Sequence, residues 1–108
     1  MRKIFLVFVL VIALTAISVF FYFRPSTSEA ELAKVECIKA CKSALQTGQN
    51  LSNGPCLSDK IIDNWVCDVA HDPREAVDNL PENQCSAYSK TIFHFVEVDP
   101  NCNFIRAI

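Results

Sequence analysis

The run IFLVFVLVIALTAISVFFYF, residues 4–23, decides how everything after it must fold. It carries no formal charge and is interrupted only by Thr15, Ser18 and Tyr22. As an α-helix rising about 1.5 Å per residue it reaches about 30 Å, the thickness of a bilayer's hydrocarbon core. The lipid bilayer is therefore the expected partner of residues 4–23. Arg2 and Lys3 stand before the run, and the positive-inside tendency holds them in the cytoplasm and sends the chain beyond Phe23 outward, against the single charge of Arg24. The aromatic cluster Phe20, Phe21, Tyr22 and Phe23 suits the outer interface. The expected arrangement is a single-pass cell-membrane protein, with a signal-anchor over 1–24, a short linker over 25–29 and an extracytoplasmic domain over 30–108. A cleaved signal peptide is the alternative. Its apolar core is normally about 7–15 residues, shorter than this one. Ser28-Glu29-Ala30 nonetheless offers a small-x-small site, and cleavage near Ala30 would release a secreted domain.

The compartment decides what the cysteines do. All six, Cys37, Cys41, Cys56, Cys67, Cys85 and Cys102, follow the apolar run. In an oxidising space an even number of cysteines in so small a domain reads as a disulfide framework, because a core of that size is marginal alone. Spacing does not assign the pairs, but it disfavours one. Cys37 and Cys41 sit four apart on an expected helix, where Cβ atoms are about 5–6 Å apart, whereas a disulfide needs about 3.5–4.5 Å. Each should bond to another part of the chain.

The helix is expected to start at the Ser28-x-x-Glu31 capping box and to stop at Gly48, with Val35, Ile38, Cys41 and Leu45 forming its apolar stripe. Residues 49–60, QNLSNGPCLSDK, read as a loop with a turn at Asn53-Gly54-Pro55, pinned by Cys56. Residues 61–70 read as a strand with Trp65, Cys67 and Val69 inward, Trp65 being a core residue. Pro73 and Pro81 interrupt regular structure before Cys85. Thr91–Val98 and Asn103–Ile108 flank the turn Asp99-Pro100-Asn101 as a hairpin. The expected fold is α+β: an N-terminal transmembrane helix, then a small disulfide-rich domain with one helix packed on a roughly three-stranded antiparallel sheet.

Charge removes one class of function. From Ala30 onward there are seven basic and eleven acidic residues, a net of −4, with no basic patch to neutralise phosphates, so no nucleic-acid partner is expected. Asp68, His71, Asp72 and His94 form the densest polar set, and imidazole with carboxylate is an ordinary divalent-metal donor set. They are candidate ligands for a metal-binding protein or metal-dependent enzyme. The bland reading is that Asp68 caps a turn and His71 donates to a backbone carbonyl. Cys37-x3-Cys41 is the one zinc-like spacing, no Cys-x-x-Cys redox motif occurs, and Gly48 and Gly54 are too few for a phosphate loop. No catalytic residue and no cofactor is assigned. Asn50-Leu51-Ser52 is a sequon, making Asn50 a candidate glycosylation acceptor.

At NLSNGPCLS (50–58), WVCDVAHDPREAVDNLPENQC (65–85) and HFVEVDPNCNFIRAI (94–108) the chain resembles small uncharacterised membrane-anchored cysteine-rich proteins of archaeal genomes. That resemblance implies an extracytoplasmic domain whose cysteines act together, and no activity. The leading expectation is a cell-surface binding or structural module that meets an extracytoplasmic protein or glycan through loops 49–60 and 71–85. A metal site at Asp68, His71, Asp72 and His94 is the second reading. A secreted inhibitor-like domain, after loss of the N-terminal helix, is the third.

Overall fold

The computed structural model describes residues 1–23 and 27–108; Arg24 and the Pro25-Ser26 part of the expected linker lie outside the described residues. Helix α1 spans Arg2–Tyr22 and none of its residues is buried. It is long and apolar enough to cross a membrane, as an anchor or as a signal sequence. Its two aliphatic hydroxyls are satisfied within the helix: Thr15 Oγ1 donates to the carbonyls of Val11 and Ile12, and Ser18 Oγ to that of Leu14. Such back-bonding lets a hydroxyl sit among apolar neighbours without an orphaned donor.

Helix α2 spans Glu29–Gln46. Ser28 is its N-cap and accepts from the Glu31 N–H at 3.2 Å, with Glu29 and Glu31 in the first turn to complement the helix dipole. At the other end Gly48 adopts φ +81°, and the N–H groups of Gly48 and Gln49 donate back to the carbonyls of Leu45 and Ala44. This is a Schellman closure, which places glycine where a left-handed backbone is needed.

Among the described residues, four strands make one mixed sheet in the order β1-β2-β3-β4: β1 Cys56–Ile62, β2 Trp65–Val69, β3 His94–Val98 and β4 Phe104–Ala107. The outer pairs are antiparallel and the central pair, β2 with β3, is parallel. Two expectations change here. The sheet has a fourth strand, because Cys56–Ile62 pairs with β2 instead of forming a loop, and it is not purely antiparallel. Register shifts on both sides of Ser58 break the alternation in β1, so the period-two pattern that would announce a strand is absent from its sequence. The parallel pairing follows from the connection over residues 70–93, which is long enough for a crossover and holds two short 3-10 turns at Ala76–Asn79 and Pro81–Asn83. The expected hairpin is present as β3 and β4. Its turn is held by Asp99, whose Oδ1 accepts from the N–H groups of Asn101 and Asn103.

The sheet is covered on both faces. On one, α2 packs against Trp65, Cys67, Val69, Val96 and Val98. On the other, Cys85, Ala87 and Ile92 of the crossover pack on Val66 and Phe95. This burial on two sides is why every residue of β2 is buried. The disulfides are Cys37–Cys67, Cys41–Cys102 and Cys56–Cys85, and no cysteine is free. Two therefore tie α2 to the sheet layer and the third ties β1 to the crossover. The inward stripe of α2 is Ala30, Ala33, Cys37, Cys41 and Ala44 with Ile38 at its side, whereas Val35 and Leu45, expected inward, are exposed. The reason is distance: bridged cysteines with Cα atoms 5.4 and 5.5 Å apart bring the helix too close for larger side chains at the centre of the contact.

Candidate functional site

The proposed metal ligands do not converge. His94 opens β3 in register with Trp65 and stacks on its indole, ring centroids 4.8 Å apart, on the helix-covered face. Asp68 lies three residues along β2 and points to the opposite face, as strand alternation requires. His71 follows the far end of β2, where its Nδ1 sits 2.9 Å from Asp78 Oδ1 and 3.3 Å from Glu75 Oε2. Asp72 is exposed beside it. The parallel register thus puts the two imidazoles at opposite ends of the strands, a separation that sequence proximity to one strand each did not reveal. Among the described residues, Cys56, Asp59 and Cys85 do come close enough to surround an ion, but the two sulfurs are bonded to each other and offer no thiolate.

What converges is a cleft on the face opposite α2. Alternation sends Val66 and Asp68 of β2 and Phe95 and Glu97 of β3 to this face, and parallel register sets Asp68 beside Glu97 and Val66 beside Phe95. These four are the floor. Arg74, Gln84, Cys85 and Tyr88 of the crossover form the walls, enclosing about 210 Å³. Tyr88 meets Phe95 edge to face at 5.2 Å, so one half of the cleft is aromatic and apolar. The other half holds two buried carboxyls, Asp68 and Glu97, only 7% and 6% exposed.

The two carboxyls are treated differently. Arg74 Nη1 donates to both oxygens of Glu97, at 3.2 and 3.1 Å, while its Nε donates to Asn79 Oδ1 at 2.8 Å; Arg106 Nε approaches Glu97 from β4 at 3.9 Å. Glu97 is therefore compensated. Asp68 Oδ1 is buried with no hydrogen-bond partner among the described residues. Burial, and then the neighbouring charge of Glu97, push the Asp68 carboxyl up to about 8, against the smaller opposing effect of Arg74. At neutral pH it is mostly an uncharged acid, able to give a proton or to ionise when a compensating group arrives.

The walls are held by a buried carboxylate. Asp78, 1% exposed, accepts from the N–H groups of His71 and Glu75, each at 2.9 Å, and faces the His71 ring. Gln84 Nε2 donates to the Asp78 carbonyl. Burial alone would raise the Asp78 carboxyl, but the backbone N–H groups of Glu75 and His71 and then the imidazole outweigh it and hold it below the usual range. Gly54 makes this arrangement fit. Its φ is +65°, and a Cβ there would collide with Asp78 Oδ1 and crowd the Val69 carbonyl oxygen. Gly54→Ala should therefore lower stability by about 2–4 kcal/mol. Gly48→Ala, left-handed but with open space around it, should cost only about 1 kcal/mol. Thermal unfolding of the two variants checks this, and equal losses would show that the Asp78 contact does not matter.

Asn50 is exposed, and its Oδ1 accepts from the Ser52 N–H at 3.0 Å and the Ser52 hydroxyl at 2.7 Å, so the sequon forms an accessible local turn. Of the cleft residues, Asp68 stood out in the sequence, though for partners it does not have. Glu97 had a signal, a charge inside the apolar strand HFVEV, but not an address. Arg74, Tyr88 and Phe95 had neither. Comparison of the chain with protein-family models, with curated protein sequences and with solved structures finds no match.

Proposed function

We propose that this chain is a membrane-tethered extracytoplasmic binding module, and that its recognition site is the cleft floored by Val66, Asp68, Phe95 and Glu97. The observation that carries the reading is Asp68: a nearly fully buried carboxyl with an unpartnered oxygen, lining a cavity, is costly to folding unless something outside the chain uses it. Tethering is supported by α1 and by Arg2 and Lys3 before it, which favour a cytoplasmic N-terminus and an outside domain. Three disulfides favour an oxidising compartment. A structural role explains the framework but not the cleft. Binding is favoured over catalysis because Arg74 holds both oxygens of Glu97 in an ion pair, which leaves Asp68 without a second carboxyl free to act with it.

The chain contains two tyrosines, Tyr22 at the end of α1 and Tyr88 in the cleft wall, which makes a built-in control. The full chain in lipid nanodiscs, labelled with 3-fluorotyrosine, is screened by fluorine NMR against small ammonium compounds, carboxylates and neutral saccharides. Members of one chemical class should shift the Tyr88 resonance saturably and leave Tyr22 unmoved. Shifts of both together, or of neither, would refute the cleft as a binding site.

A further inference from the structure

The crossover cleft also specifies what it takes. Resting on the reading of the cleft as a binding site, we infer that its ligand is a small organic ammonium ion with an apolar or aromatic body, the ammonium on Asp68 and the body against Val66, Phe95 and Tyr88. Charge balance carries the inference. The polar half of the cleft contains two carboxyls and one guanidinium, and that guanidinium is committed to Glu97 by two hydrogen bonds. Asp68 is left with one oxygen, Oδ1, that no donor among the described residues reaches. A cationic donor is what that oxygen lacks, and it would do for Asp68 what Arg74 does for Glu97. The charges that act on Asp68 are Glu97 on β3, Arg74 in the crossover and Asp78 in the 3-10 turn, with Arg106 of β4 beyond Glu97, and at Asp68 the acids outweigh Arg74. A negative field selects a cation and opposes a carboxylate.

Size and lining supply the rest. A cavity of about 150 Å³ with apolar walls is known to hold benzene, so about 210 Å³ accommodates one ring with a short aminoalkyl arm. The edge-to-face pair of Tyr88 and Phe95 offers ring surface to that body, and an ammonium beside it gains a further cation–π attraction. The same ammonium chemistry occurs in free amines and in the side chain of lysine. The small volume of about 210 Å³ favours the free amine, and the test separates the two.

Three compounds of matched size discriminate by charge: 2-phenylethylammonium, 2-phenylethanol and phenylacetate. They are titrated into the full chain in nanodiscs at about pH 8.5, where most of Asp68 is ionised, with the Tyr88 fluorine resonance as readout. The ammonium compound should bind at least tenfold more tightly than the alcohol, and phenylacetate should be weaker still. Asp68→Asn, which keeps the shape and removes the charge, should abolish the tenfold preference and leave the alcohol's affinity within about twofold. Nα-acetyl-lysinamide binding as tightly as 2-phenylethylammonium would assign the cleft to a lysine side chain of a partner and overturn the free-amine assignment. Preference for the alcohol or for phenylacetate would refute the ammonium inference while leaving the cleft a binding site. No Tyr88 shift with any compound would remove both.

Discussion

Replacing both helix bridges at once, Cys37→Ala/Cys67→Ala with Cys41→Ala/Cys102→Ala, should abolish folding of the domain. Closing chain segments with sequence separations of 30 and 61 residues stabilises by about 4 kcal/mol each on the loop-entropy model. A domain of this size has only about 4–12 kcal/mol in total, so losing about 8 removes most or all of it. Packing does not make up the difference, because the face α2 turns inward is largely alanine and cysteine. Removing Cys56–Cys85 alone, with a separation of 29, should cost about 4 kcal/mol and loosen the crossover while leaving the helix docked. Trp65 is the one tryptophan of the chain, and it is buried under the helix. Its fluorescence should move to the red in the four-cysteine variant and stay near the wild-type position when only Cys56 and Cys85 are replaced. Equal red shifts in both would mean that α2 is not held mainly by its bridges.

Asp68→Asn should stabilise the protein at pH 8, and the gain should depend on pH. In the folded chain the Asp68 carboxyl titrates at about 8, whereas its ordinary value is 3.8. The folded-state value is raised, so the folded state holds the proton longer than the unfolded state does. Its favourable contribution is complete below about pH 4 and is lost as pH rises toward 8, beyond which the penalty is constant. Asparagine has no proton to lose. The amide is no better satisfied than the protonated acid, so the variant should lie at or about 1 kcal/mol below the wild type near pH 4, and the difference should move in its favour by about 4 kcal/mol by pH 8. Asp78 and Asp99, whose carboxyls are held low mainly by backbone N–H groups against the effect of burial, act in the opposite direction, losing stability as pH falls. They are common to both proteins and cancel in the difference. A difference that does not change between pH 4 and pH 8 would mean that Asp68 is ionised throughout, and that its burial carries no penalty. A stabilising substitution at a lined cavity is also the behaviour expected of a residue kept for binding at the expense of stability.

The two central observations differ in how far they could be read ahead. Helix α2 was legible at both ends, because Ser28, Glu31 and Gly48 act locally, through bonds to backbone groups a few residues away. The hairpin of β3 and β4 was legible for the same reason, since Asp99 satisfies the N–H groups of its own turn. Strand β1 was not, because register shifts erase the alternation on which the reading depends. The inward face of α2 was misplaced by hydrophobicity. Large apolar residues at 35 and 45 mark the stripe in an isolated helix, but two disulfides rotate the contact onto alanines and cysteines.

By itself, the sequence determined the apolar N-terminal helix, the α+β class, and the separation of Cys37 from Cys41, since each depends on composition or on spacing within one element. The tertiary structure alone decided which cysteines meet, that β2 lies parallel to β3, and that His71 and His94 are held apart while Asp68 and Glu97 are brought together. These are statements of register between strands separated by the crossover, and register is set by which faces become buried once helix and crossover cover the sheet from opposite sides. Asp68 was thus visible from the start as a chemically capable residue, but its lack of a partner is a property of the folded neighbourhood, and that lack is what points to a ligand.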